Sequence, residues 1–211
     1  MKINGTTKDT QESPLLTPHV TTTSKAQKIA SIAHHFKKIM ETMGLDLSDP
    51  SLSETPQRVA KMYINEVFRG LDASNFPKVS FFENTYGYDN MILVKDITFF
   101  SYCEHHFVPF FGKVSVAYYP NKSVIGLSKI NRIVQFIASK PQVQEKFTVA
   151  VGKVLMELLA TQDIAVVAEA KHLCVASRGV NDPNSLTKTS FLSGKFRKKK
   201  VQNQFLTALT P

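Results

Sequence analysis

The chain has 211 residues, 43% of them hydrophobic and 20% charged, a composition that excludes disordered and fibrous classes and fits one globular domain with an extension. Its 26 Lys and Arg against 17 Asp and Glu give a net charge of +9, which points to a polyanionic partner: nucleic acid, an anionic membrane or a phosphorylated small molecule. No stretch approaches the ~18 apolar residues of a membrane span, and the start MKINGTTKDTQESP has neither a basic n-region nor an apolar h-region, so a cytoplasmic location is expected.

Residues 1–23, rich in Thr, Ser, Pro and Lys, read as a flexible arm. Ser24 and Gln27 fit a capping box, and Ile29, Ile32, Phe36, Ile39 and Met43 follow at helical spacing before Gly44. His34 and His35 fall off this apolar stripe and read as exposed. A second helix is expected from Thr55, as cap, and Pro56, with Val59, Met62, Tyr63 and Val67 inward, Arg58, Lys61 and Asn65 opposite, and Gly70 as its stop. Strands are expected at 92–100 and 113–119, where Val114, Val116 and Tyr118 alternate with smaller or polar residues, and 120–122 is the turn.

Ser128 then caps a third helix with Ile130, Ile133, Val134 and Ile137 inward. Pro141 opens a fourth with Val143, Phe147, Val151, Val154 and Leu158 inward. Strands follow at 164–171 and 187–196, and the basic run within 195–200 reads as a solvated tail. This order gives an α+β class with an antiparallel sheet, divided as the arm 1–23, a helical region 24–72 and a domain 73–211.

The densest chemistry lies in Cys103-Glu104-His105-His106. A thiol and an imidazole spaced C-x-x-H on a turn can share one cation, and borderline-soft Zn2+ favours that pair. Cys174 supplies a third ligand, and if its strand continues, His172 and Cys174 point to one side about 7 Å apart. Three protein ligands leave a fourth position for water, the arrangement of a catalytic zinc. The alternative is two inert buried thiols. His105 and His172 remain as acid/base candidates, with an ordinary pKa of about 6.5.

A second group, Ser128, Lys129 and Arg132, sits at a helix start, where free N–H groups and the dipole attract phosphate. The alternative is a capped surface helix with two solvated cations. In Gln142-Val143-Gln144-Glu145, the glutamate is either a helix-dipole residue or a buried carboxylate that accepts two parallel hydrogen bonds, such as guanine offers from N1–H and its 2-amino group.

Together, the stretches Thr55-Pro-Gln-Arg-Val-Ala-Lys-Met-Tyr63, Cys103-Glu-His-His106, Val124-Ile-Gly-Leu-Ser-Lys-Ile-Asn-Arg132, Gln142-Val-Gln-Glu145 and His172-Leu-Cys-Val-Ala-Ser-Arg-Gly179 resemble the GTP cyclohydrolase I family, from about residue 24 to the C-terminus. The resemblance implies a tunnelling fold, a four-stranded antiparallel sheet with two long helices between strand pairs, here residues 90–196, after N-terminal helices. It implies a toroidal homodecamer with active sites between subunits.

Carried over by position, it makes Cys103, His106 and Cys174 the zinc ligands, His105 and His172 the catalytic histidines, and Glu145 the guanine anchor with Gln144 beside it. Lys129, Arg132 and Arg178, joined by Arg58 from another subunit, would clamp the triphosphate, with Ser128 near the ribose. The implied reaction takes GTP and water to 7,8-dihydroneopterin triphosphate and formate, a first step of pterin and folate biosynthesis. It proceeds through attack at C8, ring opening, a second hydrolysis, ribose opening, an Amadori-type rearrangement and closure of the pterin ring. It implies neither a nucleic-acid nor a membrane partner.

Two other readings compete. A zinc-stabilised nucleic-acid-binding protein would need a closed four-ligand site. Another tunnelling-fold enzyme, acting on a pterin or deazapurine, would leave the triphosphate clamp without a purpose.

Overall fold

The computed structural model describes residues 23–210, so the expected arm, apart from Thr23, lies outside the described residues. The first helix, α1 (Lys25–Thr42), starts where expected: Ser24 Oγ accepts from Gln27 N, and Gln27 Oε1 accepts from Ser24 N at 2.9 Å. Gly44 follows at φ +78°, a left-handed turn that glycine adopts without a Cβ penalty. His34 and His35 are exposed as expected. The apolar stripe is not all inward: α1 packs on the helix that follows it, and Met40 is buried, whereas Ile39 and Met43 are 51% and 62% exposed.

Helix α2 (Thr55–Met62) takes Glu54 at its cap, and Thr55 is its first residue rather than the cap. Pro56 and Ala60 are its buried positions. The chain continues through a π turn (Tyr63–Val67) and a 3-10 turn (Arg69–Leu71). Gly70 is needed here for space. A Cβ at residue 70 would collide with the carbonyl oxygens of Phe136 and Ser139, and Gly70 N donates to Ser139 O at 2.8 Å. A further 3-10 turn (Ala73–Asn75) leads into the strands.

Two short strands unforeseen in the sequence, β1 (Phe81–Glu83) and β4 (Ser123–Ile125), form an antiparallel ribbon. Three residues are too few for periodicity to register. The main sheet contains β2 (Ile92–Tyr102), β3 (Pro109–Tyr118), β5 (Ile164–His172) and β6 (Thr187–Leu192), antiparallel throughout in the order β2-β3-β5-β6. With the helices below, this is an α+β fold.

Helices α3 (Leu127–Ala138) and α4 (Gln144–Leu159) cover one face, and their inward residues meet Phe99, Phe110, Val114 and Val116 in the main core. Ser128 does not cap α3. Gly126 holds that position, its N–H paired with Ser80 O beside the ribbon, and the chain passes directly from strand to helix. Pro141 likewise does not open α4; it bridges to Tyr102, and Val143 is the cap. Within α4, Gly152 lies directly under the Phe191 ring of β6, where a Cβ would have no room.

The opposite face explains why β3 and β5 lack clean alternation. Ala117, Ala165 and Val167 there pack against Phe196 and Phe205, so both faces of these strands are buried. Phe196 sits on a 3-10 turn (Gly194–Arg197), since β6 ends at Leu192 rather than at 196. The basic run is not a free tail either: Lys198 caps α6 (Lys199–Leu209), which carries Phe205 onto the sheet. Among the described residues, no helix is long and apolar enough to cross a membrane.

Candidate active site

The antiparallel pairing of β2 and β3 brings Tyr102 opposite Pro109, leaving Cys103 to Val108 as the hairpin loop. Cys103 N donates to Val108 O, and Cys103 O accepts from Phe107 N, both at 2.9 Å. Phe107 takes a left-handed φ of +55°, a cost on the order of 1 kcal/mol. Its ring meets Phe68 edge-on at 5.3 Å and lies 6.2 Å from Tyr63, so packing against the N-terminal helices offsets that cost.

Cys103 is buried at the base of this loop, while His105 and His106 are exposed. The Nδ1 atoms of both histidines lie near Cys103 Sγ, at 3.8 and 3.7 Å. Cys174 arrives from β5 by a route other than the extended one expected. The strand stops at His172, and Cys174 sits on the single helical turn α5 (Leu173–Ala176). That turn folds its thiol back, so that ligand atoms of Cys103, His106 and Cys174 all lie within 4.8 Å of one another. Two thiols and one imidazole form a borderline-soft donor set that fits a transition-metal cation. Burial, and then the neighbouring Cys103 sulfur, push the Cys174 thiol pKa up.

Arg178 Nη1 donates to His106 Nε2 at 3.0 Å. Beside this cluster, His172 stacks parallel on Phe110, ring centroids 4.7 Å apart, as the β3–β5 register pairs the two residues. Gln144, 1% exposed at the start of α4, holds it from behind. The Gln144 Nε2 atom donates to Ala168 O and Thr187 O at 3.1 and 3.0 Å, which fixes the amide's orientation. Its Oε1 therefore accepts from His172 Nε2 at 2.8 Å, and the imidazole's free lone pair is on Nδ1. Burial lowers the His172 pKa, with the charge of Glu145 opposing.

Glu145 is exposed, so the buried carboxylate considered for it is not what the single chain presents. Lys146, which sequence inspection passed over, donates to both oxygens of Glu104 at 2.8 and 3.1 Å and ties α4 to the loop. Spacing gives no signal for a pair 42 positions apart.

The remaining predicted residues lie elsewhere. Ser128 is exposed in the first turn of α3, Lys129 is half-buried beside it, and Arg132 faces a separate cavity with Arg69. Arg58 is exposed on α2.

Comparison with known proteins gives this geometry its context. The profile of GTP cyclohydrolase I matches residues 32–210. The chain is 51% identical over 186 residues to a GTP cyclohydrolase 1 of Actinobacillus pleuropneumoniae, covering 88% of this chain and 85% of that protein. It is 52% identical over 175 residues to one of Haemophilus ducreyi, covering 83% and 80%. Against one of Salmonella choleraesuis it is 50% identical over 199 residues, covering 94% and 89%. The match spans the hairpin loop, α5 and every strand and helix that carries a residue of the cluster, and the chain belongs to the GTP cyclohydrolase I family.

Proposed function

We propose that this chain hydrolyses and rearranges GTP to 7,8-dihydroneopterin triphosphate and formate, using a zinc ion held by Cys103, His106 and Cys174. The observation that carries this reading is the convergence of those three ligands within 4.8 Å beside a neutral, oriented His172. When bound there, zinc makes a hydroxide nucleophile available near neutral pH.

The chain's own groups divide the remaining work. His172 has its Nε2–H fixed by Gln144 and is kept neutral by burial, so Nδ1 is ready to accept a proton. Gln144 thus acts as a positioning residue, because its amide is fully engaged behind the imidazole. His105, exposed on the loop, is free to deliver a proton at the purine or ribose. Glu145 offers an exposed carboxylate in reach of solvent, suited to the paired N–H donors of guanine. Arg178, now on His106, is placed to turn to a phosphate oxygen.

That Arg132 opens onto a cavity lined by none of the Cys/His cluster residues supports active sites completed by neighbouring subunits, as in a homodecamer. The open outer edges of β2 and β6 suit the tunnelling fold, in which neighbours extend the sheet. We extend the same reading to a cytoplasmic location and to the division at residues 24–72 and 73–211.

The test is to incubate zinc-loaded protein with GTP and follow formate release together with pterin fluorescence after oxidation, with Cys174→Ser as control. Fluorescence that vanishes in the control is expected. Formate without pterin would place the defect in the rearrangement. Neither product, from protein containing zinc, would overturn the reading in favour of a zinc-stabilised binding protein.

A further inference from the structure

Arg132 opens onto a cavity of about 350 Å3 that it shares with Arg69. The other polar groups lining it are the amides of Asn75, Asn131 and Gln135, and no carboxylate is among them. Neither arginine has an ion-pair partner among the described residues. Asp72, close by in sequence, does not line the cavity; its carboxylate accepts from Ser74 N and Oγ.

The backbone holds Arg69 in this place. Residue 70 approaches α3 so closely that only glycine fits, and its N–H binds Ser139 O at the end of that helix. Asn75 Nδ2 donates to Arg69 O at 2.9 Å and closes the loop. Phe76 then packs edge-on against Phe136, centroids 5.1 Å apart. Three independent contacts thus set Arg69 beside α3, although nothing in them requires its side chain to be arginine.

Two guanidinium groups facing one concavity repel each other unless an anion lies between them. Each offers a planar fork that matches phosphate oxygens, and the Asn131 amide adds a neutral N–H donor, the amides of Asn75 and Gln135 already donating to Arg69 O and Thr98 O. We propose that Arg69 and Arg132 form one phosphate-binding pair, and that Arg69 is a further residue of the GTP triphosphate site. This rests on the reading of Arg132 as part of the triphosphate clamp.

The experiment uses the zinc-loaded full chain, Arg69→Ala and Arg69→Lys, with zinc content and thermal midpoint checked for each. Steady-state kinetics with GTP are combined with inhibition by inorganic tripolyphosphate, and tripolyphosphate binding is measured directly by calorimetry. In Arg69→Ala, the KM for GTP and the inhibition constant of tripolyphosphate should rise together, each by roughly tenfold, as expected for one lost charge-assisted hydrogen-bond pair. Lysine should restore part of both, since it returns the charge without the fork.

Unchanged constants in an enzyme that still turns over GTP would overturn the proposal while leaving the proposed function intact. Tripolyphosphate binding that depends on Arg69 but does not compete with GTP would overturn the shared-site assignment. Wild-type protein that fails to turn over GTP would instead defeat the functional reading. Calorimetry would then decide the arginine pair alone, binding lost in Arg69→Ala upholding it and binding retained overturning it.

Discussion

The Cys/His end of the sheet and the cationic side of α3 are built on opposite principles. At the first, a single chain closes a dense network: Gln144, His172, Cys103, His106 and Arg178 each touch another member or its neighbour. At the second, Lys129, Arg132 and Arg69 present charge with no protein counter-ion among the described residues. The network holds its members by hydrogen bonds within the chain and is suited to hold geometry. The cations are incomplete without a ligand and are suited to hold substrate. Substitutions at the two ends should therefore fail in different kinetic constants.

The largest effect is expected for Cys103→Ser, which removes a ligand at the buried base of the loop. Turnover should fall to background and zinc stoichiometry should drop, as measured by metal analysis beside the fluorescence assay. Full turnover with normal zinc would erase the distinction between the two ends. Next comes Gln144→Leu, which keeps the volume but releases His172. Because misplacing a reacting group by about 1 Å costs roughly 100-fold, kcat should fall by about that factor while the KM for GTP changes far less. A matching rise in KM would mean that Gln144 also meets the substrate.

The smallest of the three is Arg178→Ala, the residue that bridges the two ends by binding His106. A hydrogen bond from a charged donor contributes about 1.5–3 kcal/mol, so KM should rise by roughly 10- to 100-fold with zinc still bound at saturating metal. A loss confined to kcat would assign Arg178 to the network alone.

Much of this was legible beforehand for identifiable reasons. Helices α3 and α4 carry strong 3.6-residue periodicity because one face of each meets the sheet, so Ile130, Ile133, Phe147 and Val151 could be read as core. The C-x-x-H spacing works because both ligands lie on one short loop. The route of Cys174 was not legible, since a single helical turn after β5 leaves no periodic trace. Nor was the role of Gln144, whose partners Ala168, Thr187 and His172 lie on two strands far along the chain. The tail reading failed because charge at Lys198–Lys200 outweighed the quieter apolar spacing of Val201, Phe205 and Leu209, which the sheet's second face recruits.

The glycine under Phe191 has a consequence at a distance. Helix α4 is seated on β6 at residue 152 and anchored to the same strand at residue 144, about 12 Å away along its axis. A rod fixed at two points can neither slide nor roll, so the imidazole of His172 inherits its aim from a steric fit that no substrate atom ever meets. A side chain introduced at 152 would tilt that rod and reach the imidazole through it, unless residue 191 shrank in compensation. Positions 152 and 191 should therefore be free to change only as a pair.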